Sequence, residues 1–147
     1  IPLSKTINPG DIKLDINGKT FNDGFCVNVG NPHIVFFVKD CFEHDLKVIG
    51  PKIENHHLFP EKVNVTFAEV IDKSNIKVNV WERGAGLTKA CGTAACATAV
   101  AALKNKSVNN KVDVKFNEGI LKIEIDKNDN IFMTGPVSEI KNIKIEI

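Results

Sequence analysis

The sequence predicts an α+β domain in which a curved, mostly antiparallel or mixed sheet wraps around one central buried helix. Two observations lead to this fold class: apolar and polar residues alternate in several short segments, and one alanine-rich segment carries no charge. The chain has 147 residues, of which 43% are hydrophobic and 25% charged. These values are typical of a single globular domain, here covering residues 1–147.

Strands are predicted wherever apolar residues recur at every second position. This alternation occurs at residues 12–16, 76–80, 112–116 and 121–125. One face of each such strand would lie on the core and the other would face water. The continuous apolar run at 34–38 predicts a more deeply buried strand, and another strand is predicted at 63–70. A weaker helical pattern covers about 42–53, where Gly50-Pro51 predicts an interruption.

The central helix is predicted from residues 91–103, which read Cys-Gly-Thr-Ala-Ala-Cys-Ala-Thr-Ala-Val-Ala-Ala-Leu. The alanine content favours a helix, and the lack of a polar face indicates burial on all sides. The first N–H groups of such a helix have no partner within it. Its start is therefore suited to bind an anion such as a substrate carboxylate.

Cys91 lies at this predicted helix start. The helix dipole would stabilise its thiolate, lower its pKa and make it a competent base near neutral pH. The alternative is an inert, small buried residue, which is the interpretation we give to Cys26, Cys41 and Cys96. Gly92 would let a ligand approach the backbone closely. Thr93 could cap the helix or contact the ligand.

Charge and composition exclude several other classes. The net charge of +1 gives no reason to expect nucleic acid or an anionic membrane as a partner, and no apolar stretch approaches the length of a membrane span. The four cysteines are too few for a secreted disulfide scaffold, which favours reduced thiols and a cytoplasmic location. The histidines lack the spacing of a zinc site, so no metal is predicted. The chain starts with Ile instead of Met, which favours a piece of a longer protein.

Two polar clusters flank these elements. Glu82 and Arg83 end a predicted strand before a glycine-rich turn, and they would point to opposite faces if the strand continued. One could meet an ammonium group and the other a carboxylate, although a solvated strand end is the more common role of such charges. His33 follows a tight turn at 30–32, where a lone histidine is more often structural than catalytic.

Taken together, these segments resemble the diaminopimelate epimerase family. Four segments carry the resemblance in the family's order: Gly-Asn-Pro-His at 30–33, Phe-Pro-Glu-Lys-Val-Asn-Val at 59–65, Glu-Arg-Gly-Ala-Gly-Leu-Thr-Lys-Ala-Cys-Gly-Thr at 82–93 and Met-Thr-Gly-Pro at 133–136. Each segment is a weak signal alone, but the ordered set spans nearly the whole chain. The family often has Glu at the position of Leu87 and Gly at that of Ala94. Neither departure removes a group assigned to chemistry.

The resemblance implies a two-half enzyme with its active site between the halves. Each half would be a sheet around a helix and would contribute one cysteine at a helix start. The two thiols would interconvert LL- and meso-diaminopimelate, a step in lysine and peptidoglycan precursor biosynthesis, with no cofactor and no pyridoxal phosphate. This chain would be the C-terminal half, possessing one thiol and inactive without the missing N-terminal half. Its last strand, 143–147, would belong with that missing half, and the resemblance suggests a homodimer.

Carried over by the resemblance, Cys91 would be one of the acid/base thiols. His33 and Glu82 would adjust its acidity and hold the substrate amino group.

The other matched residues would bind the carboxylates of diaminopimelate. Gly92 and Thr93 would bind the one at the reacting centre. Asn31, Asn64 and Arg83 would read the distal end, where the guanidinium of Arg83 suits a bidentate contact.

Two alternatives remain at this stage. One is a proline racemase-like or related amino-acid racemase, which also has a Cys-Gly-Thr helix start; segments 30–33 and 82–88 favour the diaminopimelate reaction instead. The other is a non-catalytic amino-acid-binding module of the same fold. The presence of Cys91, Glu82, His33 and Arg83 argues against loss of a catalytic site.

Overall fold

The computed structural model describes residues 10–88 and 91–135, together with the backbone of residues 142–146. These parts of the chain contain ten strands and two helices. In order they are β1 (Ile12–Ile16), β2 (Lys19–Asn28), β3 (Pro32–Phe37), α1 (Leu46–Glu54), β4 (Asn64–Asp72), β5 (Asn75–Glu82), β6 (Gly86–Thr88), α2 (Gly92–Lys104), β7 (Lys111–Phe116), β8 (Gly119–Ile125), β9 (Asn130–Thr134) and β10 (Asn142–Glu146).

The strands form one mixed sheet in the order β1-β2-β3-β4-β5-β7-β8-β9-β10. Pairs β3–β4 and β5–β7 are parallel, and the other pairs are antiparallel. Strand β6 pairs with the C-terminal end of β5, while β7 pairs with its N-terminal end. The predicted α+β class with a mostly antiparallel or mixed sheet is therefore confirmed.

Helix α2 confirms the predicted central helix. It begins at Gly92, directly after its N-cap Cys91, and ends at Lys104. All nine residues from Ala94 to Ala102 are buried. Valine and isoleucine side chains from strands on both sides of α2 in the sequence pack against it. Alanine side chains occupy little volume, so the sheet can approach the axis of α2 closely.

Helix α1 continues through Gly50-Pro51, so the predicted interruption at these residues is wrong. Asp45 caps the helix start by accepting a hydrogen bond from Lys47 N at 3.1 Å. A Cβ atom on Gly50 would lie only 2.5 Å from the ring of Trp81. The glycine is therefore needed for helix–sheet packing.

A second core lies between α1 and the sheet face opposite α2. Ile34 and Phe36 point into this second core, whereas Val35 points toward α2. Strand β3 is thus buried on both faces, as its continuous apolar run predicts. Strands β7 and β8 keep the predicted alternation of buried and more exposed residues.

Strand β10 closes the described chain by pairing antiparallel with β9. Its assignment to a second half stays a prediction, and Ile147 lies outside the described residues. Strands β6 and β9 were not predicted, because three residues are too few for a periodic pattern and β9 buries only Ile131. Neither described helix combines the length and the apolar run that a membrane crossing requires.

Candidate active site

The start of α2 is built from Cys91, Gly92 and Thr93. Cys91 has an extended backbone, with φ −141° and ψ 110°, and its carbonyl accepts the hydrogen bond of Ala95 N at 3.0 Å. Its side chain is 7% exposed, and Gly92 and Thr93 are half-buried. The thiol therefore lies at the N-terminus of the buried helix, where the sequence predicts it.

Thr93 connects this helix start to the turn before β3. Its Oγ1 lies 3.1 Å from His33 Nε2, 3.4 Å from Asn31 Nδ2 and 3.5 Å from Cys91 Sγ. The N-cap residue of α2 is Cys91, two positions before Thr93. Of the two predicted roles, capping is therefore wrong.

His33 is completely buried in β3. Burial and the positive charge of Arg83 lower its pKa from 6.5 to about 4, so the imidazole is neutral near pH 7. Its Nε2 lies 3.1 Å from Asn31 Oδ1 as well as from Thr93. The described hydrogen bonds connect His33 to Cys91 through the Thr93 hydroxyl.

Cys91 is held between groups with opposite effects on its thiol. Burial raises its pKa, and a hydrogen bond to the Glu82 carboxylate raises it further. The Thr93 hydroxyl and the Ala94 N–H lower the pKa by hydrogen bonding, but the net change is upward. The predicted lowering by the helix start is thus outweighed in this chain, because the thiol is desolvated and faces a negative charge.

Asn64 links the β3 turn to the end of β5. Its Nδ2 donates to Pro32 O at 2.8 Å, and its Oδ1 accepts from Arg83 N at 2.7 Å. The Arg83 guanidinium is exposed and donates to Glu61 O at 3.0 Å. Strand β5 ends at Glu82, so a turn, not strand alternation, sends Glu82 and Arg83 in different directions.

The structure brings all eight predicted site residues to one end of α2. His33 and Asn64 are also neighbours in the parallel β3–β4 register. A cavity of about 920 Å³ lies away from this helix end, against Val38 and Glu69, and Cys91 does not line it. Cys91 also lines neither of two smaller cavities of about 570 and 390 Å³.

Comparisons with known proteins identify related sequences and a related fold. The family model described as diaminopimelate epimerase matches residues 25–140. The diaminopimelate epimerase of Pelagibacter ubique is 59% identical over 150 residues, which cover 100% of this chain and 55% of that protein. That of Phocaeicola vulgatus is 43% identical over 95% of this chain and 54% of its own length.

The chain belongs to the diaminopimelate epimerase family. It spans about half the length of the curated relatives it matches. Among solved structures, a phenazine biosynthesis protein of the PhzF family from Enterococcus faecalis is similar, with a TM-score of 0.54 and 17% identity over 71% of this chain and 37% of that one. At this identity the likeness supports the fold alone. Lys89, Ala90 and Pro136 of the matched segments lie outside the described residues.

Sequence reasoning missed Glu54, a buried carboxylate at the end of α1 that is 7% exposed. Its two oxygens accept from Trp81 Nε1 at 2.9 Å and Gly84 N at 3.2 Å. It thereby holds both sides of the turn that carries Glu82 and Arg83. A glutamate at a helix end gives no sequence signal for this role, since most such residues face solvent.

Met133 was matched to the family by sequence but given no role. A Cβ on Gly92 would lie 2.9 Å from Met133 Cε. The end of the flexible Met133 side chain therefore packs directly against Gly92 at the helix start.

The other thiols have environments that suit the predicted structural role. Burial raises the pKa of Cys26 and Cys96 to about 12. Cys41 lies with Asp40 and Glu69 in a group whose potential ligand atoms are within 4.8 Å of one another. Burial and Glu69 raise the pKa of Cys41 to about 11, so this thiol is protonated near neutral pH.

We predict that Glu54→Gln destabilises the protein by about 1–3 kcal/mol, because the amide NH2 replaces one of the two accepting oxygens and faces the N–H of Trp81 or Gly84. In a Trp81→Phe background one donor is gone, and the same substitution should cost at least about 1 kcal/mol less. Urea denaturation followed by circular dichroism measures both. Glu61→Gln, at an exposed glutamate, is the control and should change stability by less than about 0.5 kcal/mol. Additive effects of the two substitutions would contradict the shared contact.

We also predict that His33 makes folding stability depend on pH. Its folded pKa of about 4 lies below its ordinary value of 6.5, so full stability is present above pH 6.5. Stability should fall by up to about 3 kcal/mol as the pH drops through 4, because the unfolded chain takes up a proton that the folded chain refuses. Urea denaturation at pH 7, 5.5 and 4 should show a steeper loss for the wild type than for His33→Gln. Equal slopes would mean that His33 is not buried in its neutral form.

Proposed function

We propose that this chain is one half of a cofactor-independent diaminopimelate epimerase and that Cys91 moves the α-proton on one face of the substrate. The observation that carries the proposal is a thiol at the start of a buried helix, in hydrogen-bond contact with a carboxylate and a hydroxyl. Membership of the family and relatives of that name support the substrate.

Inversion of an α-carbon needs a base on one face and an acid on the other. In one direction the Cys91 thiolate takes the α-proton, and a second thiol gives its own proton to the opposite face of the carbanion. In the reverse direction the two exchange roles. Cys26, Cys41 and Cys96 are buried with pKa values of about 11–12, which does not suit them to be that second thiol. It belongs, in this proposal, to an N-terminal half.

The carbanion is stabilised by the helix start. The N–H groups at Gly92 and Thr93 belong to the first turn of α2, where they lack partners within the helix. Directed at the α-carboxylate, they oppose the negative charge that develops as the α-proton leaves. Closure of two halves over this helix end excludes water and strengthens the effect.

Glu82 couples substrate binding to the acidity of Cys91. Without substrate its carboxylate accepts a hydrogen bond from the thiol and raises the pKa of Cys91. A substrate ammonium bound to Glu82 neutralises this charge and draws the carboxylate away from the thiol. The thiolate therefore forms most readily when an amino acid is bound. His33 contributes as a neutral group through Thr93.

The distal carboxylate is assigned to Arg83, whose exposed guanidinium is suited to a bidentate contact. Asn64 holds the Arg83 backbone and keeps one amide N–H for a ligand. Asn31 completes this side of the site. The N-terminal half, a homodimeric assembly and a cytoplasmic location belong to the proposal through the resemblance.

The test is Cys91→Ala in the complete two-half protein. Loss of one acid/base group should lower the rate of diaminopimelate epimerisation by about 10²–10⁴-fold, measured as conversion of the LL to the meso isomer. Cys96→Ala removes a thiol from the same helix but not from the site and should keep most of the activity. Undiminished epimerisation by Cys91→Ala would remove Cys91 from the mechanism.

A further inference from the structure

The Thr93 hydroxyl is the shared partner of three polar side chains in the site. Its oxygen lies within hydrogen-bond distance of His33 Nε2, Asn31 Nδ2 and Cys91 Sγ. A threonine hydroxyl carries one proton and two acceptor lone pairs. If two of these three neighbours donate to the Thr93 oxygen, the hydroxyl proton of Thr93 must be donated to the third neighbour.

The orientation of Asn31 decides which neighbours are donors. Its Oδ1 lies 3.1 Å from His33 Nε2, and a carbonyl oxygen only accepts, so Nε2 carries the proton of the neutral ring. The low pKa of His33 agrees with a neutral ring. The Asn31 amide then turns its Nδ2 toward Thr93, where it donates at 3.4 Å.

The Nε2–H of His33 lies 3.1 Å from both Asn31 Oδ1 and Thr93 Oγ1, so these two oxygens share its one proton in a three-centre hydrogen bond. Asn31 Nδ2 and His33 Nε2–H therefore both donate to the Thr93 oxygen. They fill the two lone pairs of the hydroxyl. The remaining Thr93 O–H points to Cys91 Sγ, which lies 3.5 Å away and accepts more strongly as a thiolate than as a thiol.

We propose that Thr93 is a fixed hydrogen-bond donor to the Cys91 sulfur and that Asn31 and His33 act on this thiol by orienting the Thr93 hydroxyl. Asn31 is thereby a positioning residue for the reacting sulfur, besides any contact with the distal end of a substrate. The use of the thiolate in epimerisation rests on the proposed function, but the hydrogen bond does not.

The arrangement supports both protonation states of Cys91. The Thr93 O–H favours the thiolate, whereas the Glu82 carboxylate accepts from the S–H and favours the thiol. A thiol that must serve as base in one direction and as acid in the other requires both states to be accessible.

The test measures the acidity of Cys91 directly in the complete two-half protein. The rate of alkylation by iodoacetamide is followed against pH, and mass spectrometry of the peptide containing Cys91 separates it from other thiols. Thr93→Val keeps the shape but loses the donor, and it should move the alkylation midpoint upward by about one pH unit. Thr93→Ser keeps a hydroxyl and should keep the wild-type midpoint.

Asn31→Ala tests whether Asn31 acts through Thr93. In the wild-type background it should also move the midpoint upward, because the hydroxyl is no longer held toward the sulfur. In the Thr93→Val background it should add nothing.

Three results would overturn the proposal. The first is an alkylation midpoint that does not change in Thr93→Val. The second is a midpoint that shifts as far in Thr93→Ser as in Thr93→Val. The third is a midpoint shift from Asn31→Ala that is equally large in the wild-type and Thr93→Val backgrounds. An unchanged midpoint in Thr93→Val is expected if the Asn31 amide has the opposite orientation. Its oxygen would then accept the Thr93 proton, and the hydroxyl would not donate to Cys91. None of these readouts requires epimerisation, so a protein with the expected midpoints but no activity would refute the proposed function alone.

Discussion

The enclosure of α2 is the constraint on which the rest of the structure depends. A helix with nine consecutive buried residues and no polar face must be surrounded, and the sheet supplies most of that cover. Enclosure leaves the N–H groups of the first turn as polar groups that need partners at one end of the helix. The site is placed where these groups emerge, beside the ends of β3 and β5.

The polar residues around that helix end form a connected network instead of separate contacts. Asn64 joins the start of β3 to the β5–β6 turn, and Glu54 holds the same turn from α1. Strands from distant parts of the sequence are therefore fixed relative to Cys91 before any ligand binds. Such preorganisation is what electrostatic stabilisation of a carbanion requires, since donors that must first reorient contribute less.

Much of the fold could be predicted because its signals are local. Alternation identified the strands β1, β5, β7 and β8, and the charge-free alanine segment identified α2. The path of α1 through Gly50-Pro51 could not be predicted, because the reason for the glycine is the ring of Trp81. Tertiary packing overrides a local helix-breaking signal here.

The sequence predicted which residues lie together at the start of α2 but not their electrostatics. The helix start indicated a lowered pKa for Cys91, but its pKa is raised because burial and, second, the Glu82 carboxylate outweigh the helix N–H groups. Residue spacing alone cannot show that the Glu82 carboxylate meets this thiol. The structural role of Glu54 was missed for the same reason: its partners Trp81 and Gly84 lie about thirty residues further along the chain.

The central claim is that this chain holds one acid/base thiol of a pair and needs another half to turn over substrate. The most direct measurement is exchange of the α-proton of LL-diaminopimelate in deuterated buffer, followed by mass spectrometry, for this chain alone and for the complete two-half protein. The account predicts deuterium incorporation by the complete protein and none above background by this chain. Exchange by this chain alone at a comparable rate would contradict it.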